Sequence, residues 1–175
     1  TTIRQLLTHS SGLPAWLNLR DVPNNEAHLE VCFATPFAYP PDSQVIYSDI
    51  GYILLGEVVR RLSGLASLAE AMQMLVLQPL NMTVHYRRAP ADLSDHVAIA
   101  PTEFCQWRQR RIVGEVHDEN AASFGGASGH AGLFGTAKDV ARLGQLYLDH
   151  GGSFISPDLA REATTVQIAD RGRGW

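Results

Sequence analysis

Residues 45–64 carry the strongest local pattern in the chain, a short extended approach followed by a helix. Ser48 and Asp49 are both residue types that cap helix N-termini. Gly64 can adopt the left-handed conformation that ends a helix. Apolar residues between these limits recur every four positions, which predicts a largely buried helix. The apolar stripe consists of Ile50, Leu54, Val58 and Leu62, widened by Ile53, Leu55 and Val59.

This helix determines the surroundings of Tyr47, which lies just before its N-terminus. A phenol is ordinarily a poor base at neutral pH. The positive end of a helix dipole favours the anionic form of the phenol, and a nearby ammonium group would favour it further. Tyr47 is therefore a candidate activated tyrosine. The alternative is a buried aromatic residue whose hydroxyl group caps a polar atom, and local sequence alone favours that alternative.

The composition excludes several classes of protein. The chain has 175 residues, of which 45% are hydrophobic and 18% charged, as in an ordinary globular domain. The net charge is -4 and no basic stripe is present, which argues against nucleic-acid binding. No apolar run approaches the ~20 residues of a membrane span. The only two cysteines, Cys32 and Cys105, are predicted to be free thiols.

The remainder of the chain predicts mainly helices. Residues 15–44 carry turn signals and are expected to be irregular. Residues 97–99 and 112–116 are the strand candidates. We therefore predict one α+β domain that is predominantly helical, with a short β element around residues 95–118. Four further helices are predicted from their N-cap residues, which are Thr2, Ser67, Thr136 and Ser156.

Generic catalytic and metal motifs are not matched. A nucleophile elbow requires G-x-S-x-G, and the sequence around Ser128 has His130 where the last glycine should stand. The histidines and cysteines lack the spacing of a zinc site, and the glycine-rich residues 125–132 lack the lysine of a phosphate-binding loop. We therefore predict no metal and no cofactor.

Several segments, taken together and in order, resemble one enzyme family, the serine β-lactamases and penicillin-binding-protein-like hydrolases. The similarity is to the class C group with its esterase and D-Ala-D-Ala carboxypeptidase relatives, and it extends over the whole chain. The resemblance implies the helical subdomain of the β-lactamase/transpeptidase-like fold. The segments that carry it are residues 2–14 (TIRQLLTHSSGLP), 47–56 (YSDIGYILLG), 78–82 (QPLNM), 116–121 (VHDENA) and 129–137 (GHAGLFGTA).

The resemblance implies a mechanism in which a serine of an S-x-x-K motif forms a covalent acyl-enzyme. The lysine and a Y-x-N tyrosine move the proton, and Tyr47 occupies the position of that tyrosine, which favours its role as the base. Asp49 replaces the asparagine and would hold the polar network or contact substrate. An ionised carboxylate cannot donate a hydrogen bond and would oppose a nearby phenolate. This departure favours esterase or peptidase action over hydrolysis of antibiotic β-lactams.

The resemblance also implies that His117, Asp118, His130 and Gly132 contact substrate. Each has a structural alternative. His117 and Asp118 fit a charged loop equally well, His130 is as well suited to bracing its loop, and the glycines indicate tight turns first. Residues 9–11 are interpreted as the C-terminal cap of the first helix.

No serine in the 175 residues is followed three positions later by lysine, since Lys138 is the only lysine and position 135 is Gly135. We therefore expect the chain to be the middle of an enzyme, cut at both ends, and inactive alone. Two alternatives remain: a catalytically inactive relative used as a binding or lid module, and an unrelated helical interaction domain. The sequence that precedes Thr1 would distinguish a fragment of an active enzyme from an inactive relative, because it would either contain or lack the S-x-x-K motif.

The expected partner is a small-molecule or peptidoglycan-type acyl substrate, without nucleic acid and without a membrane span. By resemblance, the protein is expected to be periplasmic or secreted. A helical subdomain without its sheet should also expose an apolar surface, through which we expect self-association.

Overall fold

A computed structural model describes residues 1–86 and 99–168. The described part is rich in helix and has only two-residue strands, as predicted for a predominantly helical α+β chain. The helices are α1 (Ile3–Leu7), α2 (Asn25–Ala34), α3 (Asp49–Ser63), α4 (Leu68–Met72, continued by a π-helical turn, Gln73–Leu77), α5 (Glu119–Ser123), α6 (Ala137–Leu148) and α7 (Pro157–Thr164). The strands are β1 (His85–Tyr86), β2 (Phe104–Cys105), β3 (Arg110–Arg111) and β4 (Leu133–Phe134).

The strands form two antiparallel pairs. In the first pair, β1 lies beside β4, and His85 is opposite Phe134. In the second pair, β2 and β3 form a hairpin in which Cys105 is opposite Arg110. The hairpin confirms the short β element predicted between residues 95 and 118.

The predicted helix starts are confirmed by their caps. Thr2 forms a reciprocal capping box with Gln5, and Thr136 forms another with Asp139. The Ser48 hydroxyl accepts from the N–H of Gly51 at the start of α3, and Gly64 ends that helix with a φ of 68°. These boundaries follow local sequence because a cap involves only the groups of one helical turn.

Two predictions about the chain were wrong. Residues 15–44 are not all irregular, because α2 lies within them. Its N-cap is Asn24, whose side chain accepts from Ala27 N–H, so a residue interpreted as a turn signal starts a helix. Residues 112–116 are not a strand. The hairpin ends near Ile112, whose N–H donates to the Glu103 carbonyl, and Gly114 then turns with a φ of 70°. The other strand candidate falls mainly outside the described residues.

The core surrounds the first half of α3, which packs against α1, α2 and α4. Burial of each large aliphatic side chain there stabilises the fold by about 1.5–3 kcal/mol. The helix was predicted to be largely buried, and its first half is, whereas Leu62 at its C-terminal end is 80% exposed. The core cluster consists of Leu6, Leu13, Leu19, Cys32, Ile50, Ile53, Leu54 and Phe124.

Two further expectations concern the cysteines and the surface. Cys32 and Cys105 are buried and free, which confirms the predicted thiols. None of the helices in the described ranges is long and apolar enough to cross a membrane. Apolar side chains are exposed on α6, where Val140 is 67% and Leu148 73% accessible. Self-association through such a surface stays a prediction.

Candidate active site

Tyr47 stands immediately before the N-cap of α3 and is 65% exposed. The alternative of a buried capping aromatic is therefore excluded. The N–H of Ser48 donates to His9 Nδ1 at 3.1 Å, and the Ser48 hydroxyl donates to the carbonyl of Pro14 at 2.7 Å. These two bonds hold the backbone on which Tyr47 is carried. A role for Tyr47 as the base stays a prediction.

His9 is a structural partner of Tyr47 that the sequence interpretation missed. Residues 9 and 10 do end α1, because their N–H groups donate to the carbonyls of Leu6 and Gln5. The imidazole also lies between two tyrosines, with ring centroids 4.6 Å from Tyr47 and 4.9 Å from Tyr52. Burial lowers the pKa of His9, which favours the neutral ring whose Nδ1 can accept from Ser48. The only sequence signal for this role was its place in the family-like segment 2–14.

Asp49, Asp118 and His130 meet, although they come from α3, the start of α5 and the glycine-rich loop. One carboxylate oxygen of each aspartate and one ring nitrogen of His130 all lie within 4.8 Å of one another. His130 Nε2 is 2.9 Å from Asp118 Oδ1, and its Nδ1 is 2.9 Å from the Ser128 hydroxyl. The structure thus brings together three of the six residues proposed from sequence and adds Ser128.

The ionisation of the two aspartates differs because their hydrogen bonds differ. Burial acts to raise the pKa of Asp118, but hydrogen bonds from His130 and from the N–H of Ala121 outweigh it and lower the pKa. Burial raises the pKa of Asp49, and the Asp118 carboxylate adds to this effect against the opposing influence of His130. Asp118 is therefore the more acidic carboxyl group.

Glycines place the loop that carries His130. A side chain on Gly129 would overlap the carbonyl oxygen of Tyr52, so the loop lies directly on the backbone of α3. Gly56 faces it, and a Cβ there would be 2.9 Å from Gly129 Cα. Gly132 has a φ of 119°, which few other residues adopt. The interpretation of these glycines as tight turns and close approaches is confirmed.

A cavity of about 370 Å³ is lined by His117, Asp118 and Gly132, three of the predicted substrate-binding residues. His117 is about half exposed, and its Nε2 lies 2.9 Å from Glu103 Oε1. The His130 side chain is almost fully buried and reaches this cavity only through Asp118. It therefore holds Asp118 in position and does not line the cavity itself.

A second cavity of about 670 Å³ lies beside Gly56, Ser128 and Phe124. Its charged groups are Glu57 and Arg60, which pair with each other at 2.7 Å. Both groups are thus already paired, and the larger cavity contains none of the residues predicted to bind substrate.

Among the described residues, atoms of the kinds that bind metal ions come close together in the cluster of Asp49, Asp118 and His130. Both ring nitrogens of His130 and Oδ1 of Asp118 are already engaged in hydrogen bonds. In this arrangement His130 bridges Ser128 and Asp118.

Comparisons with known proteins agree with the resemblance. A putative D-alanyl-D-alanine carboxypeptidase of Escherichia coli K12 is 32% identical over 202 residues, which cover 99% of this chain and 46% of that protein. The chain thus spans about half the length of the curated relatives it matches. The penicillin-binding protein of Bacillus halodurans has the same fold, with a TM-score of 0.74, 23% identity and coverage of 98% of this chain and 54% of that one.

A second solved structure, SurE with D-Leu, is 26% identical, with a TM-score of 0.64 and coverage of 97% of this chain and 38% of that one. The sequence model of the family described as Beta-lactamase matches residues 1–173. Since that match takes in almost every residue and the carboxypeptidase relative matches 99% of the chain, the chain belongs to the Beta-lactamase family.

Proposed function

We propose that this chain is part of a serine hydrolase that acts through an acyl-enzyme on ester, amide or β-lactam carbonyls. The observation that carries the proposal is Tyr47, a largely exposed phenol at the head of α3, two residues before Asp49 and its partners Asp118 and His130. Membership of the Beta-lactamase family supports it.

Tyr47 would act as the base that receives the proton of the serine nucleophile. It sits immediately before the N-cap of α3, at the positive end of the helix dipole. Neutral His9 packs against the ring and fixes its position without adding a charge. General-base assistance of this kind contributes about 10²–10⁴-fold to a rate.

The substrate we propose is a small-molecule or peptidoglycan-type acyl compound that contains a D-amino acid. Support comes from the carboxypeptidase names of the relatives and from a structural neighbour solved with D-Leu. It would enter the cavity between His117, Asp118 and Gly132. Asp49, in the place of an amide, favours esters and peptides over antibiotic β-lactams. A periplasmic or secreted location would suit such a substrate.

The nucleophile is proposed to lie in polypeptide beyond these 175 residues, since they contain no S-x-x-K motif. The chain by itself would then have no acyl-transfer activity. The same observation favours a second candidate function, a catalytically inactive relative that serves as a binding or lid module. The encoded sequence on both sides of the chain decides between them.

The test compares the 175-residue chain with the protein that also contains its flanking encoded sequence. Both are assayed with nitrocefin, a p-nitrophenyl ester and a D-Ala-D-Ala peptide, and covalent acylation is followed by mass spectrometry. We expect acylation and turnover only in the longer protein, with esters or peptides preferred. Turnover by the 175-residue chain that disappears in Tyr47→Phe would contradict its proposed inactivity. A longer protein that is never acylated would favour the binding module.

A further inference from the structure

The larger cavity, of about 670 Å³, is lined by residues of α2, α3 and α4 and by the loop at residues 124–129. Its volume falls within the range of about 300–1,000 Å³ that is usual for sites that bind small molecules. The large side chains of its wall are mainly apolar, namely Leu29, Ile53, Leu68 and Phe124. Such a wall favours the burial of an apolar ligand.

Small residues keep this cavity open. Ala66, Ala69 and Ala127 each line it with a single methyl group. A methyl group on Gly125 would meet no atom within 4 Å, so the loop leaves room there as well. A larger side chain at any of these positions would fill part of the space. The volume available to a ligand therefore follows from the residue types that form the wall.

The charged side chains of the wall are Glu57 and Arg60. Glu57 is only 6% exposed, and its carboxylate accepts two hydrogen bonds from Arg60 and one from Arg61. The bonds from Arg60, and then those from Arg61, outweigh burial and lower the pKa of Glu57. Glu70 on α4 does not line the cavity, and its carboxylate accepts the N–H of Ala66. Two guanidinium groups thus share one carboxylate, which leaves this group with one positive charge in excess.

Arg60 retains hydrogen-bond donors that Glu57 does not use. It contacts Glu57 through Nε at 2.7 Å and Nη2 at 2.8 Å, and Nη1 has no partner among the described residues. The Arg60 side chain is 36% exposed. Arg61 does not line the cavity, and its guanidinium group lies over the ring of Phe33 at 5.4 Å. Since a guanidinium group carries five N–H donors, Arg60 can hold Glu57 along one edge and a second anion along another.

We propose that the larger cavity binds an amphipathic carboxylate, a short fatty-acid anion whose carboxylate pairs with Arg60 and whose chain packs against Leu68 and Phe124. The apolar wall accounts for the chain, and the excess positive charge accounts for the carboxylate. An uncharged chain would leave Nη1 of Arg60 without an anion. An anion without a chain would leave the apolar wall in contact with water.

Ser128 connects this ligand site with the candidate active site. It lines the larger cavity, and its hydroxyl lies 2.9 Å from His130 Nδ1. His130 in turn contacts Asp118, which lines the smaller cavity. The two cavities share no lining residue. A ligand in the larger cavity should therefore change the surroundings of the His130 ring without entering the smaller cavity.

The first experiment titrates the 175-residue chain at pH 7 with octanoate, butanoate and 1-octanol, followed by ¹H–¹⁵N NMR. Octanoate should shift the signals of lining residues such as Gly56, Ser67 and Ala127. Butanoate should bind about fourfold more weakly for each CH₂ that it lacks. The alcohol should bind about tenfold more weakly than octanoate, because it has no charge for Arg60. Equal affinity of octanoate with either of the other two compounds would overturn the proposal.

The second experiment repeats the titration with variants. Arg60→Gln should weaken octanoate about tenfold and leave 1-octanol unchanged. Arg161→Gln is the matched control, because Arg161 also pairs with an acid three residues before it and does not line the cavity. Ala69→Phe should fill the cavity and abolish binding of both compounds, and circular dichroism checks its fold. Wild-type affinity for octanoate in Arg60→Gln or in a folded Ala69→Phe would refute the site, and the second variant decides if the first does not fold.

The third experiment uses the longer protein and measures octanoate binding by calorimetry, together with the ring signals of His130 by NMR. We expect the affinity of the 175-residue chain to be retained and the His130 signals to move as the ligand saturates the site. A longer protein that binds no octanoate would show that other parts of the polypeptide fill the cavity, which would overturn the proposal. His130 signals that stay unchanged at saturation would refute the connection through Ser128.

Discussion

The imidazole of His9 packs against the ring of Tyr47 with centroids 4.6 Å apart, while its Nδ1 accepts the N–H of Ser48, the next residue. One side chain thus fixes both the phenol and the backbone that carries it. His9 can do so because its own φ of 57° turns the chain back toward α3 at the end of α1.

Replacement of His9 by phenylalanine should keep the ring contact and lose the acceptor. The unpaired Ser48 N–H and the strained positive φ should then cost about 1–3 kcal/mol of unfolding free energy. Asparagine is the matched control, because it tolerates a left-handed φ and offers a carbonyl acceptor. Urea unfolding of the three proteins measures the difference. Equal stability of His9→Phe and the wild type would show that the Ser48 bond contributes nothing.

Protonation of His9 should also lower the free energy of unfolding. Its lowered pKa means that the unfolded chain binds a proton more readily than the folded chain. The stability that His9 contributes is therefore complete above about pH 6.5 and is lost as the pH falls through the folded pKa. His9→Asn should flatten the curve of stability against pH in this window, measured by urea unfolding from pH 7 to pH 4. An identical slope in both proteins would contradict this assignment.

Alanine at Gly129 should displace the loop that carries His130, because the new methyl group would overlap the Tyr52 carbonyl. We expect a loss of about 1–3 kcal/mol, as for overpacking of a filled core. Gly144→Ala is the control: it lies inside α6 with open space around it, and should stabilise by about 0.5–1 kcal/mol. Thermal unfolding compares the two variants. A Gly129→Ala protein as stable as the wild type would mean that the loop does not depend on this contact.

Asp139 should be the acid-sensitive link between the start of α6 and the segment before β1. Its carboxylate accepts hydrogen bonds from the backbone N–H and the hydroxyl of Thr83. It accepts two more from the backbone N–H and the hydroxyl of Thr136. The Thr83 N–H, then the Thr136 and Thr83 hydroxyls, hold the pKa of Asp139 far below its ordinary range. This stabilisation is complete above the unfolded pKa of about 3.9 and is lost as the pH falls below it.

Asp139→Asn should accordingly make stability less dependent on pH between 5 and 2, as followed by circular dichroism during acid titration. Asp158→Asn is the control, because its side chain is 87% exposed and its partner among the described residues is Arg161. Should both variants unfold along the wild-type acid curve, the Thr83 and Thr136 bonds would not be the source of acid sensitivity.

Tyr47→Phe in the longer, acylating protein should reduce kcat/KM for an ester by about 10²–10⁴-fold, the usual contribution of a general base. Its stability should change by less than about 0.5 kcal/mol, because the ring is largely exposed and phenylalanine retains the contact with His9. Acylation rates and thermal unfolding are measured on the same samples. An unchanged acylation rate would remove Tyr47 from the mechanism.

Local sequence was sufficient to predict the ends of α3 and the starts of the other predicted helices. Ser48, Gly64 and the capping boxes act within one turn of backbone, so neighbouring residues contain the whole interaction. It did not reveal α2, because residues 25–34 lack a clear apolar face and their helix starts at asparagines that also favour turns. The strand predicted at residues 112–116 lies instead at residues 110–111. The turn at residues 106–109 determines its position, whereas the prediction relied on the apolar run that follows.

How the candidate residues combine depends on contacts between segments that are far apart in the chain. His117, Asp118, His130 and Gly132 were selected by resemblance, but no local pattern distinguishes the side chain that lines the cavity from the one that braces it. The contact of Gly56 with Gly129 brings the loop onto α3 and thereby sets His130 beside Asp49. Packing between distant segments determines such distances, and with them burial and the protonation of each group, whereas capping and turn chemistry depend on neighbours along the chain.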